Sequence, residues 1–277
     1  MKKVILLVLL AFVLSGCADD QFGIEKKYWS LQRQEEKIFS NPSASPENEL
    51  EKVVARLNAF IKKYPKNNLA VKAEFDIANL YTVKEEYNKA RSQLKAVLAK
   101  YSKFDSICSE AVFLLGYNYE KQNKWSLALE QYKKIMQDYP LTSQGLSIPV
   151  YIAQYYKSKF QPDNMVMALQ EAIAHYKGLA NKYPNSPLGL RAYMLTADCY
   201  IVLKDWQNTV NTFKTAIDAY KSKVNVDAIM LNMALIYKRE LKNNTKAKEA
   251  LEGLLKEYPK SKLAKSATAL LEEMEKK

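Results

Sequence analysis

The chain has 277 residues, of which 48% are hydrophobic, and its formal net charge is +12. Its seven glycines and nine prolines are too few for the frequent tight turns of β-sandwiches, barrels and repeated βαβ units. The single histidine, His175, argues against histidine-based catalysis and histidine-rich metal sites. We therefore expect helices joined by short loops.

Residues 1–16 have the features of a secretory signal peptide. A basic head precedes an apolar run from Val4 to Leu14, which is shorter than the roughly 20 residues that a membrane-spanning helix needs. The sequence Leu14-Ser15-Gly16-Cys17 then resembles a bacterial lipobox. This resemblance implies cleavage before Cys17 and lipidation of Cys17. Labelled palmitate would report the acyl chains. An ordinary signal peptide followed by a chance cysteine is the alternative.

The residue after the lipidated cysteine helps to predict whether the protein stays in the inner membrane or reaches the outer membrane. Cleavage leaves a net charge of +10, and lipoproteins of this kind carry three acyl chains, enough for stable anchoring without a membrane-spanning helix. In enteric bacteria an aspartate directly after the cysteine favours retention in the inner membrane, whereas this chain has Ala18. We expect residues 17–21 to tether the protein to the outer membrane, facing the periplasm, with the inner membrane as the alternative.

The remainder of the chain carries an internal repeat. Tyrosines recur at spacings of 37, 38, 44, 37 and 38 residues, and a period in the high thirties is typical of stacked helical hairpins. Proline follows four of the tyrosines and would end the second helix of each hairpin. The repeated positions are Tyr64-Pro65, Tyr101, Tyr139-Pro140, Tyr183-Pro184, Tyr220 and Tyr258-Pro259.

A finer pattern identifies the family that this repeat resembles. Within the repeats, a small residue precedes a further tyrosine by three positions, as in Ala78 and Tyr81 or Gly116 and Tyr119. This pattern resembles the tetratricopeptide repeat (TPR) family. The resemblance implies an all-α, right-handed superhelical solenoid over residues 22–277, with about six TPR helical hairpins plus a C-terminal capping helix. Repeat four has seven extra residues, which we place at about 157–163, in a longer helix or a loop.

The sequence offers little catalytic chemistry. It contains no zinc-protease, nucleophile-elbow, phosphate-loop or Cys-x-x-Cys motif, so we expect no enzyme activity, no cofactor, no metal site and no small-molecule substrate. Its lysines are spread along helices rather than clustered with aromatic residues, and an exported protein rarely meets nucleic acid, so we expect no nucleic-acid partner. Cys108 and Cys199 are separated by more than two repeats, which favours two buried free thiols.

The resemblance to TPR proteins also implies a partner-binding groove on the concave face, lined by the first helix of each hairpin. Four large apolar residues occupy one matching position and would form a ladder for an extended peptide or a partner helix. Packing of these side chains against the neighbouring second helix is the alternative. The predicted groove residues are Phe75, Asn79, Phe113, Tyr117, Gln154, Met194, Asp198 and Leu231.

An exported TPR lipoprotein with Tyr-Pro repeat ends resembles the BamD family of the outer-membrane β-barrel assembly machinery. This resemblance implies a membrane-anchored scaffold that mediates protein–protein interactions in envelope assembly. The chain departs from that family after its second repeat, where Tyr101-Ser-Lys-Phe-Asp105 replaces the usual His-Pro-rich segment. The alternative is a periplasmic TPR adaptor that recruits peptidoglycan or Tol–Pal type partners.

Overall fold

The computed structural model describes residues 20–275, and this part of the chain contains thirteen α-helices and no strand. The signal peptide, Cys17 and Ala18 lie outside the described residues. Within residues 20–275, no helix combines the length and apolar character needed to cross a bilayer. The helices are α1 Gln21–Ser40, α2 Glu47–Lys63, α3 Asn68–Val83, α4 Tyr87–Lys100, α5 Asp105–Lys121, α6 Trp125–Asp138, α7 Ser143–Ser158, α8 Pro162–Lys182, α9 Pro187–Val202, α10 Trp206–Tyr220, α11 Asp227–Arg239, α12 Asn244–Glu257 and α13 Ala264–Glu275.

The described residues divide into two compact units, residues 20–146 and 147–275, here called the N-terminal unit and the C-terminal unit. In the N-terminal unit, consecutive helices from α1 to α6 pack against each other, and in the C-terminal unit consecutive helices from α8 to α13 do so. Helix α8 also contacts α7, because Tyr176 of α8 forms a hydrogen bond with the backbone of Val150, so the described residues form six helical hairpins in chain order followed by one helix. The prediction of an all-α chain of about six hairpins with a C-terminal helix is confirmed.

The small residues of the repeat allow the two helices of a hairpin to approach closely. Ala78, Ala197 and Ala234 are each at most 2% exposed, and Ala90 and Ala128 of the second helices are fully buried. Gly116 of α5 is the extreme case, because a Cβ atom added there would lie 2.4 Å from a ring carbon of Tyr132. Only a residue without a side chain fits against that ring.

Four of the turns inside the hairpins share one backbone geometry. The carbonyls of Tyr81, Tyr119, Tyr156 and Tyr200 each accept a hydrogen bond from the amide five residues later. The residue before that amide has a positive φ between 56° and 61° in every case. This is the Schellman helix end, which usually carries glycine at the positive-φ position. Here the position is held by Glu85, Asn123, Phe160 and Lys204.

The extra residues of repeat four lie in a longer helix and not in a bulged loop. Helix α8 has 21 residues, against 14 in both α4 and α6. The turn before α8 keeps the common geometry, since the Gln161 amide donates to the Tyr156 carbonyl at 3.0 Å. The seven additional residues are therefore absorbed by α8 itself, which extends beyond the interval 157–163 predicted from the sequence.

Candidate protein-binding site

In the N-terminal unit, the two predicted ladder residues are half-buried. Phe75 packs against the core cluster that contains Leu94 and Val97 of α4. The ring of Phe113 lies 5.9 Å, centroid to centroid, from the buried ring of Tyr132 in α6. Phe113 therefore contacts the second helix of its hairpin, and Phe75 packs against a cluster to which α3, α4 and α5 contribute, so the alternative of intramolecular packing accounts for part of their surface.

The predicted polar groove residues of this unit stand four positions after the ladder residues. Asn79 and Tyr117 are both half-buried, so each presents part of its side chain to solvent. The ammonium nitrogen of Lys121 lies 5.2 Å from the centroid of the Tyr117 ring, a distance at which a cation is attracted to the face of the ring. This contact orients Tyr117 at the surface of α5.

In the C-terminal unit, helices α9, α10 and α11 line an open cavity of about 350 Å³. The predicted groove residues Met194 and Asp198 both line it. Leu231 instead packs against the core of this unit, and Leu235, one helical turn later, lines the cavity. Gln154 is exposed on α7. The predicted groove residues of the C-terminal unit thus fall into different environments.

The cavity combines an apolar floor with a polar rim. Trp206 and the buried Phe213 of α10 contribute aromatic surface, and Asn232, Arg239 and Glu240 contribute polar groups that are exposed to solvent. A concave apolar pocket with a few convergent polar groups is the usual form of a ligand site. This cavity can accept an apolar side chain while its rim contacts the polar backbone or charged groups of the same ligand.

Sequence reasoning missed Trp206, Phe213 and Arg239 as cavity residues. Both aromatic residues occupy repeat positions of the second helix, and the repeat pattern assigns them to packing inside the hairpin. A signal for Arg239 exists in the sequence, because Arg239 follows Asn232 by seven residues and so lies on the same face of α11.

Buried polar groups lie close to the groove positions of the N-terminal unit. Asn118 is fully buried, accepts a hydrogen bond from the Arg91 guanidinium at 2.7 Å and donates to the Thr82 hydroxyl at 3.2 Å. The Glu74 carboxylate, 7% exposed, accepts a hydrogen bond from the Lys100 ammonium group. These bonds connect α3, α4 and α5.

The two cysteines of the described chain are packed inside the protein, and its single histidine is partly buried. Cys108 and Cys199 are free, buried thiols, and burial raises the pKa of Cys199 to about 12. Burial also lowers the pKa of His175, whose ring packs edge-on against Tyr176 at 5.6 Å. Within residues 20–275, no three histidine, cysteine or acidic side chains are grouped so that they could hold a metal ion.

Comparison with known proteins identifies the repeat. Residues 110–142 and 228–261 match the family model of the tetratricopeptide repeat. No curated protein matches the chain. Three solved structures are similar at low identity. BtubC from P. vanneervenii is 15% identical over 86% of this chain and 91% of its own, with a TM-score of 0.40.

The other two solved structures are also 15% identical to this chain. The C-terminal part of a TPR repeat-containing protein from Cytophaga hutchinsonii is 15% identical over 81% of this chain and 78% of its own, with a TM-score of 0.40. YrrB, described as a TPR protein with an unusual peptide-binding site, is 15% identical over 77% of this chain and 97% of its own, with a TM-score of 0.36. With two matched segments and six helical hairpins, this chain contains tetratricopeptide repeats.

Proposed function

We propose that this protein is a lipid-anchored TPR scaffold of the bacterial cell envelope, with a role in outer-membrane protein assembly similar to that of BamD. The signal peptide and the lipobox ending at Cys17 support export and anchoring. The repeats support a role in protein–protein interaction, because TPR hairpins expose helix faces that accept a peptide or a partner helix.

The observation that carries the binding role is the cavity between α9, α10 and α11. Met194 and Trp206 provide an apolar floor, and Asp198 and Arg239 place opposite charges at its edge. A partner segment would insert an apolar side chain into this cavity and align its polar groups with the rim. Burial of that side chain would contribute roughly 1.5–3 kcal/mol to binding.

Site-specific photo-crosslinking in intact membranes tests this function. A photoreactive amino acid at Asn232, on the rim, is expected to capture a component of the β-barrel assembly machinery. The same probe at Glu252, which is exposed on α12 and does not line the cavity, is the matched control. Equal capture from both positions would contradict binding at the cavity.

The identity of the captured partner decides the cellular role. A peptidoglycan-associated or Tol–Pal type partner would favour the adaptor function over β-barrel assembly. Asp198→Arg should reduce capture, because it introduces a large cation at the edge of the cavity. Asp218→Arg on the exposed side of α10 makes the same charge change away from the cavity and should leave capture unchanged.

The anchor has its own test. Cys17→Ser should abolish the incorporation of labelled palmitate, because the thiol accepts the lipid. Equal label in the wild type and the variant would contradict the lipobox.

A further inference from the structure

Helix α1 carries an exposed face that the scaffold function does not use. The helix packs Tyr28, Leu31 and Ile38 into the core of the N-terminal unit, where each is at most 8% exposed. Successive residues of an α-helix are rotated by about 100°, so the side opposite these three is the side that α1 presents to solvent.

A strip along the exposed side carries aromatic and basic side chains that alternate along the helix, and Glu25 and the exposed Glu36 lie beside this strip. Phe22 is 68% exposed and Trp29 is 58% exposed, although both are large apolar residues. Lys26 and Arg33 are exposed between and after them. Helical rotation directs these four side chains into a sector about 60° wide. We call this surface the α1 aromatic–basic face: Phe22, Lys26, Trp29 and Arg33.

This face begins very close to the predicted site of lipidation. Helix α1 starts at Gln21, four residues after Cys17, and four residues span at most about 14 Å when fully extended. The 20 residues of α1 extend over about 30 Å. If Cys17 is anchored in a bilayer, the whole face is therefore within reach of the bilayer surface.

We propose that the α1 aromatic–basic face lies on the surface of a membrane that contains anionic phospholipids; the proposal rests on the lipid anchor of the proposed function. Tryptophan and phenylalanine side chains partition into the interface between headgroups and acyl chains. Lysine and arginine side chains contact the lipid phosphates, and each is expected to strengthen membrane association about fivefold. The N-terminal unit then lies on the far side of α1 from the bilayer.

The basic residues of this face oppose pairing with a second copy of the chain in the register that would bring the two Trp29 side chains together. An antiparallel, two-fold pairing of α1 centred between Trp29 and Ser30 would place Lys26 of one copy opposite Arg33 of the other. Like charges placed directly opposite each other in an interface oppose association. An anionic lipid surface has the complementary charge.

Fluorescence quenching of Trp29 in proteoliposomes tests the proposal with the full, lipidated protein. The vesicles contain equal parts of phosphatidylglycerol and phosphatidylcholine, with bromine on the acyl chains close to the headgroup as the quencher. The chain has three tryptophans, so the signal of Trp29 is the difference between the wild type and Trp29→Phe, which keeps an aromatic ring on the face. We expect the bromolipids to quench this difference signal strongly.

A second tryptophan position provides the matched control. Phe160 is 92% exposed in the turn before α8, and Phe160→Trp in the Trp29→Phe background reports on an exposed aromatic residue outside α1. Lys26→Gln with Arg33→Gln should weaken quenching of Trp29, whereas Lys95→Gln with Lys103→Gln, which removes two exposed charges elsewhere, should not.

The outcomes separate this proposal from the anchor on which it rests. Membrane-bound, palmitate-labelled protein in which Trp29 is no better quenched than the tryptophan at position 160 would overturn the α1 proposal and leave the anchor intact. Protection of Trp29 from aqueous quenchers without bromolipid quenching would also overturn it, in favour of a protein partner or a second copy. Failure of the anchor appears separately, as equal palmitate label in the wild type and Cys17→Ser.

Discussion

The N-terminal and C-terminal units use the same hairpin frame but join their hairpins with different chemistry. In the N-terminal unit, the residue before the repeated Tyr119 is Asn118, whose buried amide forms hydrogen bonds to α3 and α4. In the C-terminal unit, the residue before the corresponding Tyr200 is Cys199, a buried thiol that packs as a small apolar group.

The difference extends to the surface above these positions. The hydrogen bonds of Asn118 connect three consecutive helices of the N-terminal unit, whereas α9, α10 and α11 of the C-terminal unit line an open cavity. The backbone turns are the same in both units, since Asn123 and Lys204 share one geometry. The repeated turns therefore set the hairpin fold in both units. The side chains between neighbouring hairpins differ, and they form either a hydrogen-bonded contact, as at Asn118, or an open cavity, as between α9 and α11.

The largest expected effect comes from filling the tightest helix contact of the N-terminal unit. Gly116→Leu should destabilise the protein by about 1–3 kcal/mol or more, because the added side chain would overlap the ring of Tyr132. Thermal denaturation measures the loss. Gly178 on α8 has open space where a Cβ atom would be added, so Gly178→Ala should be neutral or stabilising. Equal losses in both variants would contradict the described packing.

A buried carboxyl group should make the N-terminal unit sensitive to pH. Glu35 is 4% exposed, and burial, with a smaller contribution from the negative charge of Asp76, raises its pKa from 4.5 to about 7. The folded state therefore binds this proton more tightly than the unfolded state, so stability is lost as the pH rises from about 4.5 to 7. Glu35→Gln should raise stability at pH 8 by about 3 kcal/mol and have little effect below pH 4.5.

The C-terminal unit offers a control of opposite sign for that measurement. Burial lowers the pKa of His175, so its contribution is present above the unfolded pKa and is lost as the pH falls through the folded one. Denaturation of Glu35→Gln and His175→Gln at several pH values distinguishes the two. A pH profile that is unchanged in Glu35→Gln would contradict a buried carboxyl group with a raised pKa.

Replacing Asn118 and Cys199 by alanine compares the two units directly. Asn118→Ala should cost about 2 kcal/mol, because it leaves the buried groups around Arg91 and Thr82 without their partner. Cys199→Ala should cost less than half as much, since it removes one weakly polar atom from an apolar environment. Chemical denaturation measures both, and equal costs would show that the two junctions do not differ in kind.

The smallest effect concerns a turn. Phe160 has a φ of 56°, in the left-handed region that glycine adopts without steric cost. Phe160→Gly should therefore stabilise the protein by about 1 kcal/mol. Phe160→Ala keeps the unfavourable backbone and is the control, because the exposed ring of Phe160 contributes little packing. A gain in stability in Phe160→Ala equal to that in Phe160→Gly would assign the effect to the side chain.

The hairpins could be predicted from the sequence because their signals are local. The spacing of Tyr-Pro pairs and of small residues such as Ala78 and Gly116 depends only on helix geometry within one repeat. The Asn118 network could not be predicted, since its partners Arg91 and Thr82 are 27 and 36 residues away in sequence and meet it only through the packing of three helices. The same holds for the cavity, where Met194 and Asp198 were predicted but the aromatic floor from α10 was not.

The length of the addition in α8 has a geometric consequence of its own. Seven residues correspond to about 700° of helical rotation, only about 20° short of two full turns. The buried residues of α8, from Ala168 to Ala180, therefore keep nearly the same orientation relative to the turn before the helix as they would have without the addition. An addition of five residues would rotate the distal part of the helix by about 140° and direct its apolar residues into water. Repeat four thus gains about 10 Å of helix while the buried side of α8 keeps its orientation.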